Sequence, residues 1–173
     1  PQKMIDDSQY GKISRPPVPA SYKLARSLPG RRGVYSFCMC PGGYVVNASS
    51  ETRRLAVNGM SYADRGSANA NSAIVLTVGE REFDMRDPLA GMAYQREMEE
   101  RAYALGQGSI PQQLWGDYLA NRPSSSYGSF ASCARGDCRL TNLRGFLSED
   151  MEADLIDAMS FFGKKISGFD DKN

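Results

Sequence analysis

The chain has 173 residues, 41% of them hydrophobic and 24% charged, with 21 Lys and Arg against 20 Asp and Glu for a net charge of +1. That length suits one domain spanning 1–173, and the balanced charge, with the pairs Arg31-Arg32 and Arg53-Arg54 standing apart, excludes a basic nucleic-acid surface. Histidine is absent, so Ser-His-Asp and Cys-His nucleophiles and histidine-bearing metal sites are excluded too.

In chain order, the opening through Arg15-Pro16-Pro17-Val18-Pro19 reads as an extended arm, because proline lacks the amide donor and restricts the residue before it. β-branched and aromatic residues then predict strands at 34–39 and 44–48, divided by Pro41-Gly42-Gly43 and so paired as a hairpin. Further strands are expected at 55–58 and 73–78, giving an antiparallel meander or part of a barrel. Asp87 as N-cap and Pro88 as first helical residue predict a helix over 88–105, with Gly91, Tyr94, Met98, Ala102 and Leu105 on its core face. A short helix is expected over 111–119, and Asn121 to Ser129 reads as a loop. Ser148 predicts the start of a last helix over 149–163, whose buried stripe is Met151, Leu155, Ala158, Met159 and Phe162. Strands first and helices after make an α+β layout, an antiparallel sheet or partial barrel followed by packed helices.

No apolar run reaches the roughly 18 residues that span a bilayer, and the first ten residues lack the pattern of a signal peptide. A cytoplasmic protein without membrane or nucleic-acid partners is expected. The start at Pro1 and the acidic end Asp170-Asp171-Lys172-Asn173 suggest a segment of something longer.

The four cysteines, Cys38, Cys40, Cys133 and Cys138, are enough to hold a tetrahedral zinc, but structural zinc sites usually leave two or more residues between paired ligands, so C-x-C argues against one. No metal is expected. A cysteine-based, metal-stabilised binding module without catalysis is the rival reading. For Cys38 and Cys40 the functional reading is a pair of thiols at a strand end, beside glycines that admit close approach of a ligand or flavin. As redox groups they are poorly spaced, since a dithiol usually has the form C-x-x-C. The long polar loop from Asn58 to Ser72 joins two apolar strands, and loops of such length are often functional. Neither G-x-G-x-x-G nor G-x-x-x-x-G-K-[ST] occurs, so no backbone cradle for a pyrophosphate is visible.

The run from Tyr35 to Glu51, centred on Cys38-Met39-Cys40-Pro41-Gly42-Gly43, with Val57 to Arg65 and Asn69-Ala70-Asn71-Ser72-Ala73, resembles bacterial uncharacterised FAD-dependent dehydrogenases, or NAD(P)/FAD-dependent oxidoreductases. Met4 to Gly11, Pro88-Leu89-Ala90-Gly91 and Lys164 to Phe169 extend the likeness over nearly the whole chain. The resemblance implies an inserted, substrate-side domain that helps cover the flavin, with the FAD-binding Rossmann-like domain formed by sequence on both sides of it and absent here. It implies FAD in the longer protein and none bound to this segment. Its partners would be that FAD-binding domain, a small-molecule substrate and NAD(P)H. Residues expected to face the cofactor are Pro41, Gly42, Gly43, Asn58, Gly59, Met60, Ser61, Asn69 and Asn71, with Cys38 and Cys40 as candidates for catalysis. Cys133 and Cys138 are not called for by the resemblance.

Overall fold

The computed structural model describes residues 1–11, 18–27 and 29–173. Its architecture is α+β, with short sheets and four helices and no closed barrel among the described residues. The Arg15-Pro16-Pro17 part of the expected arm lies outside the described residues, and the beginning of that arm is a helix instead. This is α1, Gln2–Tyr10, which buries Gln2 and Ile5. Ile5 belongs to the main apolar core, so burial of one helix face outweighs a sequence with few apolar residues.

Three strands form the first sheet, in the order β1 (Ala25–Ser27), β2 (Gly33–Cys40), β5 (Asn71–Leu76), all antiparallel. Along β2, Val34 and Ser36 are buried while Tyr35 and Phe37 face outward, the period of two that a strand imposes. The Ser36 hydroxyl accepts the Leu24 amide at 2.8 Å, which satisfies a polar group inside the core. The second sheet is β4 (Val57–Ser61), β3 (Gly43–Asn47), β7 (Ala134–Arg135), in which β3 pairs antiparallel with β4 and parallel with β7. A parallel pair, β6 (Ile110–Gln112) with β8 (Cys138–Leu140), completes the strands.

The expected hairpin of 34–39 with 44–48 is not formed, because β2 and β3 lie in different sheets. The ladder of β2 is interrupted between Phe37 and Cys40, with Cys38 at φ 48° and Gly42 at φ 49°. The backbone beyond β4 then takes the place of a hairpin partner: the Gly43 amide donates to the Asn69 carbonyl at 2.7 Å and the Ser67 amide to the Gly42 carbonyl at 3.2 Å. Nor does the strand expected at 55–58 begin at Leu55, whose amide is bonded to the Glu99 carbonyl of the following helix.

That helix, α2 (Ala90–Gly106), starts later than expected. Asp87 still accepts a hydrogen bond from the Leu89 amide at 2.8 Å, but in a turn that precedes the first helical residue. The expected helix over 111–119 divides into strand β6 and the short α3 (Trp115–Leu119), since the Ile110 and Thr141 amides are committed to partners in the β6–β8 pairing. The last helix, α4 (Glu149–Lys165), follows the expectation closely, and Ser148 occupies the position before its first residue. Its Met151, Ala158 and Phe162 are buried, and Ala158 and Phe162 join Ile5, Leu24 and Val34 in the core between α1, α4 and the first sheet.

Candidate functional site

Where the second sheet meets β6, α3 and the segment after α4, a cleft of about 780 Å³ opens. It lies within the roughly 300–1,000 Å³ of ordinary ligand sites. Its rings are Trp115, Tyr127, Phe130 and Phe169. Trp115 is the single tryptophan of the chain and stacks on Tyr118, with ring centroids 5.2 Å apart and planes 12° from parallel. The Arg144 guanidinium sits 5.2 Å from the centre of the Tyr118 ring, so the indole rests on a support that is itself held in place. Burial first, then the neighbouring Glu152 carboxylate, push the Tyr118 phenol up to about 12, which keeps it neutral. The Gly116 amide donates to the Lys172 carbonyl at 3.0 Å, and a Cβ on Gly116 would lie 2.6 Å from that oxygen. Glycine at this position therefore lets the last segment of the chain close against α3.

Of the residues singled out in the sequence, Gly43, Asn69 and Asn71 line this cleft. Pro41, Gly42, Asn58, Gly59, Met60, Ser61, Cys38 and Cys40 do not. The close approach that glycine allows is taken up by the chain itself: a Cβ on Gly42 would stand 1.7 Å from the Arg65 carbonyl oxygen, and one on Gly59 2.2 Å from the Asn71 amide oxygen. The Gly42 amide donates to the Gln2 side chain at 2.8 Å, tying the turn to α1. The Ser61 hydroxyl donates to the Pro41 carbonyl at 2.7 Å, and Met60 pairs with Tyr44 across β3 and β4. Asn58 is exposed.

Cys38 is exposed at φ 48°, an unusual conformation for a residue with a Cβ, while the half-buried Cys40 has its thiol 3.4 Å from the Cys38 carbonyl. The other two thiols lie elsewhere. Cys133 lines the cleft and accepts a bond from the Ser67 hydroxyl at 3.1 Å. Burial, and then Asp137, push the Cys138 thiol up, which disfavours the thiolate. Among the described residues no group of three or more cysteine or acidic side chains is placed to hold a metal, so the four-sulfur site of the rival reading is not assembled.

Sequence reasoning missed Trp115, Tyr127, Phe130 and Cys133 as lining residues. Trp115 was legible only as a member of the short helix expected over 111–119, and Tyr127 and Phe130 lie outside helix and strand, with no period to read. The one signal was the rarity of tryptophan.

An α+β segment with a ring-lined cleft beside a glycine-tight turn is the class that the fold and site define. The chain belongs to the family described as FAD-dependent protein, C-terminal domain-like, whose model matches residues 1–173. A protein of Clostridium beijerinckii, named only as uncharacterized, is 41% identical over 174 residues, an alignment covering 98% of this chain and 33% of the relative. The chain thus spans about a third of the length of that relative.

FAD, which the family name implies, combines a flat ring system with an anionic pyrophosphate. The cleft offers rings, but among the described residues no Lys or Arg lines it. Gly42 and Gly59, the tight points of the sequence run, are closed by Arg65 and Asn71. The residues present fit a flat ring and do not fit the pyrophosphate.

Proposed function

We propose that this chain is the substrate-side domain of a longer FAD-dependent oxidoreductase, a dehydrogenase whose FAD-binding domain lies in sequence outside residues 1–173. Membership in the FAD-dependent family and the coverage of only 33% of the relative support this reading. The single observation that carries the substrate-side role is continuity: Gly43, at the end of the Cys38-to-Gly43 run, and Asn69 and Asn71 from the following loop lie on the wall of the ring-lined cleft. Bound FAD supplies the electron exchange in such proteins; the residues of this chain position a small molecule and exclude water. NAD(P)H, as the reductant partner, approaches from outside this cleft, whose one charged side chain among the described residues is Asp171.

In the full-length protein, replacing residues 1–173 by a short linker should leave FAD bound but expose its ring to iodide quenching of flavin fluorescence. Unchanged quenching in the deletion variant overturns the covering role. Two substitutions refine the site. Gly43→Val places carbon against the Met60 carbonyl, where even a Cβ would stand at 2.6 Å, and should reduce turnover about tenfold or more. Cys38→Ser should retain most turnover, because C-x-C is a poor redox spacing and histidine is absent to activate a thiol. Loss of turnover in Cys38→Ser, with normal flavin content, would instead assign that thiol a chemical role.

A further inference from the structure

The hydrogen-bond capacity of the cleft decides what it can hold. Five amide side chains line it, and four of them, Asn69, Asn71, Gln112 and Gln113, have their NH2 group engaged within the chain. Asn69 donates to the Ala131 carbonyl at 2.7 Å and Asn71 to the Tyr44 carbonyl at 3.2 Å. Gln112 donates to the Ser132 hydroxyl at 3.0 Å, and Gln113 to the Arg122 carbonyl at 2.7 Å. The carbonyl ends of both glutamines are bonded as well, by the Tyr127 hydroxyl and the Leu143 amide, each close to 2.8 Å or shorter. An apparently polar lining therefore presents few free donors. What it presents is ring faces and aliphatic carbon from Val45, Ile110 and Leu140.

An anion entering this space would lose its hydration and meet no Lys or Arg side chain and no row of free amide donors, with Asp171 the one charged side chain on the wall among the described residues. An uncharged flat ring loses little hydration and gains stacking on Trp115, which Tyr118 and Arg144 hold in orientation. We propose that the cleft is a selective site for an uncharged, planar aromatic or quinoid compound, and that it rejects carboxylates and phosphates of the same ring size. This deepens the substrate-side reading above, on which it rests for the role of the bound compound but not for the selectivity of the cleft.

Isothermal titration of the full-length protein with naphthalene-2-carboxamide and naphthalene-2-carboxylate, which share a ring system and differ in charge, tests the proposal. The carboxamide should bind about tenfold or more tightly than the carboxylate. Trp115→Leu, which keeps apolar bulk but removes the stacking face, should weaken carboxamide binding about tenfold. Phe130 is 41% exposed at the cleft, so Phe130→Lys should fold normally and bring in an ammonium that reverses the preference toward the carboxylate. Equal or tighter binding of the carboxylate by the unaltered protein, no binding of the carboxamide, or an unchanged order in Phe130→Lys would overturn it. If iodide shows that the domain leaves the flavin exposed while the carboxamide still binds selectively, the covering role fails and the ring site stands.

Discussion

Gly42 has φ 49°, and a Cβ there would stand 1.7 Å from a backbone oxygen that cannot swing aside. Gly42→Ala should therefore destabilise the protein by about 3 kcal/mol or more, combining left-handed strain with displacement of the Arg65 backbone. Urea unfolding of the full-length protein checks this, and a loss under 1 kcal/mol would show that the 65–68 backbone yields easily. The sequence pointed to this glycine as a place where a ligand or flavin approaches closely, and in the structure the Arg65 backbone occupies that space. The sequence could not show that the approaching group is the chain itself, because that depends on a contact made across the turn. Asp150 poses a titration question at the same scale. The Ser148 hydroxyl first, at 2.5 Å, and then Arg32 hold its carboxyl down to about 2. A folded pKa below the unfolded one of about 3.9 means that this contribution to stability is present above that value and is lost as pH falls toward 2. Asp150→Asn should flatten the stability curve between about pH 4 and pH 2, as read by thermal unfolding across that range. A curve unchanged by the substitution would show that other carboxylates dominate acid unfolding.

Among the elements, α4 is the one whose sequence pattern most nearly became its structure. Its stripe of Met151, Leu155, Ala158, Met159 and Phe162 repeats with the helical period, and the acidic first turn and Lys164-Lys165 in the last suit the helix dipole. The same helix carries a feature that periodicity does not reveal. Asp154 is 2% exposed and faces Arg31 and Arg32, while Arg32, itself 6% exposed, lies 2.6 Å from Glu82 and 2.5 Å from Asp150. In the sequence these two consecutive arginines stand out only as a pair set apart from Arg53-Arg54, forming no basic stripe. They are the bond between α4, the start of β2 and the loop after β5. Arg32→Met should cost about 3–5 kcal/mol, since it leaves Glu82 buried without the cation at 2.6 Å and takes from the buried Asp154 one of its two arginine partners. By contrast Arg96→Ala, which removes an exposed partner of Glu51, should fall within about 0.5 kcal/mol of the unaltered protein. Chemical denaturation of both variants checks the contrast, and similar losses for the two would remove the distinction between buried and exposed pairs.

Across the whole molecule, the first sheet has two apolar faces. Val34, Ile74 and Leu76 lie in or against the core, while Tyr35 and Phe37 point outward, opposite Val75 and Ala73. Phe37 is 57% exposed and Tyr35 40%. An antiparallel sheet with one face in water ordinarily alternates apolar and polar side chains. Exposed apolar area of this kind lowers solubility. Phe37→Lys should raise the concentration at which residues 1–173 remain monodisperse in light scattering, and an unchanged limit would show that another surface governs association. The cleft is an assembly at the same scale, since Gly43, Trp115, Tyr127 and Phe169 come from separate parts of the chain.

The sequence alone determined the α+β class, the strand-rich first half, the two long helices and the likeness to FAD-dependent proteins. Each depends on local signals: alternation in β2, the helical stripe of α4, and the compact run from Cys38 to Gly43. Strand partners and cleft walls were decided only by tertiary structure. The Pro41-Gly42-Gly43 turn has the composition of a hairpin, yet β2 joins β5 and β3 joins β4, because the 65–69 backbone supplies the hydrogen bonds that a hairpin partner would have made. Trp115 and Phe169 are far apart along the chain and share no period. They line one cleft because the Lys172 carbonyl takes the Gly116 amide and draws the segment after α4 against α3. Contacts of that kind depend on loop closure and burial summed over the whole fold, and no local pattern of residues encodes them.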